Sequence, residues 1–159
     1  MSTYTPSSYS LGDPRLHTEA NADSAALEKA LHDVIYVSIE YPETTEGAYL
    51  IPVLWDCDVV EIHLTAGTPG TGSATTIDAH RVDLSDGSDL GTIFTTQGNR
   101  PSLGTSDYAA KSGTPDGTST LEPWDGTDGI ALRIDVDAAD SNGIVEDVVA
   151  AIHVERNDI

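Results

Sequence analysis

Apolar residues along this chain follow two different periods. Between Asn21 and His32 they recur every three or four positions, so Ala26, Leu27, Ala30, Leu31 and Val34 share one face, with Asn21 or Asp23 available as a cap. That pattern predicts a helix. About three turns is marginal in isolation, so its apolar stripe must pack on something. From Val34 onward the period falls to two. Val34–Ile39, Ala48–Leu54, Val59–Ala66, Ala74–Leu84, Gly91–Thr96, Thr118–Trp124, Ile130–Val136 and Asp147–Glu155 read as strands. In the third of these, Val60, Ile62, Leu64 and Ala66 are expected on a dry face, with Val59, Glu61, His63 and Thr65 on a wet one. Pro52 suggests an edge or bulge in the second. Turn residues separate the runs, as in Ser141-Asn142-Gly143.

About eight short strands with regular turns favour a mainly β protein, an antiparallel β-sandwich of jelly-roll-like type. Residues 1–34 form an extended arm plus the short helix, an anchoring and oligomerisation segment; residues 35–159 form the sandwich domain. The segment from Gly98 to Gly117 stands out as long and irregular, and such loops are usually functional or bound to a partner.

Charge changes the picture. Of the 159 residues 27 are acidic and 7 basic, a formal net charge of -20. The acids run through the whole chain and alternate with apolar residues, so they coat a folded surface and do not form a tail. Self-repulsion of this size is relieved by high salt, which points to a halophile's protein. The same charge argues against nucleic acid and anionic membranes as partners. No apolar run approaches the roughly 20 residues of a membrane span, and the first residues lack the pattern of a secretory signal. Cys57 is the lone cysteine, which rules out an internal disulfide.

Candidate chemistry is sparse. The run Asp135-x-Asp137-x-x-Asp140-Ser141-Asn142-Gly143 places Ala139 at the fifth and Asp140 at the sixth position of a calcium loop, where an oxygen ligand and a glycine are needed. His63 and His153 each sit in a strand beside a glutamate on the same face, Glu61 and Glu155. Two such strands side by side could build a metal site, but exposed His–Glu pairs are more often surface decoration. Nucleophile elbows, zinc-protease motifs, phosphate loops and dinucleotide fingerprints do not occur. No catalytic residue, metal ligand or cofactor is therefore assigned, and no enzyme is expected. Arg100, in so acidic a chain, can pair with a carboxylate across a subunit boundary or pin its own loop through an internal salt bridge.

One stretch carries a resemblance. Gly91 to Leu103 contains the only Phe and reads Gly-Thr-Ile-Phe-Thr-Thr-Gln-Gly-Asn-Arg-Pro-Ser-Leu. It is flanked by the Ala66–Gly72 loop, Thr75–Asp78, Gly126–Asp137 and the apolar Val148–Val154. This order resembles the small β-sandwich domain of tailed-virus virion surface proteins, in phages and haloarchaeal viruses, over roughly residues 47–155. Thr127 intervenes between Gly126 and Asp128, where that pattern has Gly-Asp adjacent. The resemblance implies a non-enzymatic structural protein of the particle, a head decoration, head fibre or tail fibre, assembled in the host cytoplasm and displayed on the virion surface. A homotrimer fits this picture. Tyr4, Tyr9, Leu11, Leu27, Leu31 and Arg100 would serve anchoring and subunit contacts, with the arm docking onto a major capsid or other virion protein. A second reading is a receptor-binding module whose loops at 67–72, 98–117 and 123–129, with Tyr108 and Trp124, recognise host surface glycan or S-layer.

The charge yields the first prediction. Thermal melting should move upward as KCl rises from about 0.1 M to about 3 M; a melt that ignores salt argues against a halophilic protein.

Overall fold

Strand formation follows the alternation of apolar residues, and ten strands lie among the described residues. In chain order they are β1 (Asp33–Ile39), β2 (Tyr49–Ile51), β3 (Cys57–Thr65), β4 (Thr75–Asp83), β5 (Asp89–Thr92), β6 (Ser102–Leu103), β7 (Ala109–Lys111), β8 (Thr120–Leu121), β9 (Ile130–Ala138) and β10 (Val148–Arg156). The computed structural model describes residues 33–39, 42, 49–143 and 145–157. The expected arm and helix, with Tyr4, Tyr9, Leu11, Leu27 and Leu31, lie outside them, except for the last two residues of that segment: Asp33 and Val34 belong to β1 and pair with β10.

Among the described residues every strand pairing is antiparallel. Sheet I runs β1-β10-β3, with β7 and β8 both along the far edge of β3; sheet II runs β2-β9-β4, with β5 and β6 both along the far edge of β4. If β5 with β6 and β7 with β8 are each taken as one interrupted strand, eight strands remain, four per sheet. Their order is that of a jelly roll. The inner faces meet in one core that includes Ile62, Leu64, Ile77, Phe94, Leu132, Ile134 and Ile152, all fully buried. Burying each such side chain contributes about 1.5–3 kcal/mol.

The alternation holds without interruption in β10, where Val148, Ala150, Ile152 and Val154 are buried. In β3 it slips. Val59 is buried and Val60 half-exposed, the reverse of the expected phase. Glu61 opposes His153 and Val59 opposes Val154, so Val60 is the extra residue of a β-bulge. One inserted residue flips every earlier side chain to the other face.

The stretch Thr92–Thr96 is not the strand its composition suggests. The ladder of β5 ends at Thr92, and the chain turns inward to bury Ile93 and Phe94 completely. Ile93 N–H donates to the Ala79 carbonyl, and Phe94 N–H donates to the Thr92 hydroxyl. A 3-10 turn at Gln97–Asn99 follows before β6 rejoins β4. The opposite edge is interrupted in the same way between β7 and β8. The two excursions bond to each other: Gly117 N–H to Ile93 O (2.9 Å), Gly113 N–H to Asn99 O (2.8 Å), and Thr96 N–H to the Asp116 carboxylate (3.0 Å). Hydrogen bonds from Thr96 push the Asp116 carboxyl down to about 2. The irregular segment 98–117 thus seals one side of the sandwich. The expected strand at Ala48–Leu54 stops at Ile51, because Pro52 has no N–H to continue the ladder.

Close approach at this seam requires a glycine. A Cβ on Gly117 would lie 2.8 Å from Thr92 O and 3.1 Å from Ile93 O, both backbone atoms that cannot swing away. Gly117→Ala should cost about 1–3 kcal/mol in urea unfolding, as overpacking does. Gly98, with nothing within 4 Å of its added Cβ, is the control. Gly98→Ala should be neutral or stabilise by up to about 1 kcal/mol.

Candidate functional site

The outer face of sheet II is built from residues that alternate with the core. Asp78 and His80 on β4 alternate with Ile77 and Ala79, and Arg133 and Asp135 on β9 alternate with Leu132 and Ile134. Register puts Asp78 directly opposite Asp135, and His80 opposite Arg133. Like charges so placed repel, and cations bracket them. Arg133 donates to both oxygens of Asp135 from Nε and reaches Asp89 Oδ2 from Nη2 at 2.9 Å. Arg100 reaches Asp78 Oδ2 and Asp137 Oδ2, each at 2.8 Å. His80 lies between, with Nε2 3.1 Å from Asp78 and Nδ1 3.0 Å from Asp89. Burial alone would lift the Asp89 carboxyl, but the Gly91 N–H, His80 and Arg133 hold it below its usual range. The groove over this network measures about 490 Å³.

Chemically the network is a staple. The Thr92 hydroxyl donates to Asp78 Oδ1 at 2.6 Å, and Asp78 in turn contacts His80. A nucleophile relay needs the hydroxyl on the imidazole, with the carboxylate behind it. Here the carboxylate stands between them, so the ring cannot take the hydroxyl proton. Of the two readings of Arg100, the structure contains the internal salt bridge: its side chain is 11% exposed and tied to two carboxylates of its own chain.

The outer face of sheet I holds a second cluster. β3 and β10 are neighbours, and Glu61 lies opposite His153. His63 Nε2 is 2.8 Å from Glu61 Oε1, and the rings of His63 and His153 are 4.8 Å apart, tilted by 38°. Lys111, opposite His63 on β7, places its ammonium 2.6 Å from Glu61 Oε2. That ammonium first, and His63 after it, hold the Glu61 carboxyl below its usual range.

Tyr108 and Trp124 are exposed, at 62% and 48%. They do not share a surface. Tyr108 precedes Ala109, which pairs with Thr65 at one end of β3; Trp124 follows Leu121, which pairs with Cys57 at the other. Eight residue steps along that strand span about 26 Å. The 67–72 loop belongs to the Tyr108 end, where Ser106 N–H donates to Gly70 O. The 123–129 loop lies at the opposite end. In the Asp-rich run, Asp140 is occupied with backbone, accepting from the N–H groups of Gly72 and Ser73.

Comparison with protein-family models, curated proteins and solved structures gives no match.

The sequence marks Arg100 but conceals the network it joins. The usable signal is the pair of outward charged doublets, Asp78-x-His80 and Arg133-x-Asp135. Arg100→Ala would strip a cation from Asp78, whose side chain is 5% exposed and keeps its other partners. About 2–3 kcal/mol should be lost in urea unfolding at constant salt. Asp137→Asn, on the half-exposed arm of the same pair, should cost about 0–1 kcal/mol. Equal costs would refute the asymmetry.

Proposed function

We propose that this chain is a structural virion protein of a tailed virus of a halophilic archaeon, a trimeric head decoration or a turret or fibre component with no catalytic role. Architecture carries the reading: the strand order of a jelly roll recurs in viral capsid and lectin domains. The Gly91–Leu103 resemblance and the net charge of -20 agree with it. The cations on the outer face of sheet II are consumed in internal pairs, which suits a framework more than a reactive centre. The segment ahead of β1 would dock the sandwich onto the shell, with Leu27 and Leu31 packing between subunits.

Trp124 and Tyr108, exposed on loops, favour the second reading, a module that stacks on host surface glycan. Their separation along β3 makes them two contact points at opposite ends of the sandwich.

Light scattering on the full chain in molar salt tests the first reading. A trimer is expected, and Leu27→Asp with Leu31→Asp should convert it to monomer. A full-length monomer removes the trimer. Saturable binding of labelled protein to haloarchaeal cells would shift the assignment to the receptor module.

A further inference from the structure

Neither the virion role nor the glycan reading uses the cluster on sheet I. Glu61, His63 and His153 come from two adjacent strands, and each offers a ligand atom within 4.8 Å of the others. Two imidazoles and one carboxylate are the donor set that suits a borderline divalent ion, and a hard ion such as Mg²⁺ prefers oxygen alone. We propose that Glu61, His63 and His153 form a binding site for a zinc-class divalent cation on the outer face of sheet I.

The geometry needs only a modest closure. Tetrahedral bonds of about 2.0–2.1 Å place donor atoms about 3.3–3.4 Å apart. The widest donor pair therefore has to close by about 1.5 Å at most, and the Glu61–His63 pair, now at 2.8 Å, has to open by about 0.5 Å. All three side chains are half-buried and face outward from rigid nine-residue strands, so rotamer changes can supply this without moving backbone. Glu61 Oε1 already faces His63 Nε2 at 2.8 Å. On binding, the ion takes the place of that hydrogen bond: the Nε2 lone pair goes to the metal, and any proton there moves to Nδ1 or to solvent.

Lys111 is the local antagonist. Its ammonium sits 2.6 Å from Glu61 Oε2, on the oxygen that does not face His63. It orients the carboxylate and also places a positive charge close to an incoming cation. Three protein donors leave a fourth position for water or for a group from a partner.

Zinc chloride titrated calorimetrically into the full chain in about 2 M KCl is the test, because salt at that level screens diffuse attraction to the acidic surface. One ion per described cluster is expected. His63→Ala and His153→Ala should each weaken it by more than the roughly 10–100-fold that loss of a supporting group costs. Glu61→Gln should weaken it, Lys111→Met should tighten it, and excess Mg²⁺ should not displace zinc. Both histidine variants must melt like the parent, which half-exposed sites allow. Absence of binding, equal affinity in the histidine variants, or displacement of zinc by Mg²⁺ would each overturn the site.

Discussion

A backbone N–H that leaves a β-ladder must find another acceptor, and this constraint governs the sealed side of the sandwich. Both edge strands, β5–β6 and β7–β8, break in mid-course. Each break is satisfied by the other, through Gly117 to Ile93 and Gly113 to Asn99. Ile93 and Phe94 enter the core with their own amides held separately, by the Ala79 carbonyl and the Thr92 hydroxyl. The same excursion carries Arg100 out to the face of sheet II, where it meets Asp78 and Asp137. Core closure and the surface charge network are thus two ends of one irregular segment.

The acids have a local use besides solvation. Asp83, Asp86, Asp107, Asp125 and Asp140 each accept from a nearby or facing backbone N–H, at Ser85, Ser88, Gly104, Thr127 and Gly72. Most of these turns fold an aspartate back on a residue two or three positions away. The shorter side chain reaches that spot and the longer glutamate does not. Turn chemistry thereby gives several of these acids a structural use that the net charge of -20 does not reveal.

Much of the fold was legible. β3, β4, β9 and β10 alternate clearly because one face of each must be dry, and Phe94 reads as buried from its type and neighbours. Its backbone state did not, since a buried aromatic among β-branched residues looks the same in a strand or beneath one. The Val60 bulge left no mark, because either phase of Val59-Val60 presents an apolar residue inward. The site was legible in pieces. His63 and Glu61 stand two residues apart, but their meeting with His153 depends on β10 lying beside β3, which no local pattern encodes. Arg100 could be singled out, while the choice between an internal and an external partner needed the position of Asp78.

β10 is the neighbour of both β1 and β3, and this sets an order on events during synthesis. β1 has β10 as its one ladder partner among the described residues. Roughly 110 further residues separate the end of β1 from the start of β10, which a ribosome delivers in about 5–20 s. Throughout that interval the apolar face of β1 has no partner strand among the described residues. The nascent chain must therefore keep β1 waiting, exposed to chaperones or to copies of itself, until β10 emerges and fills the gap.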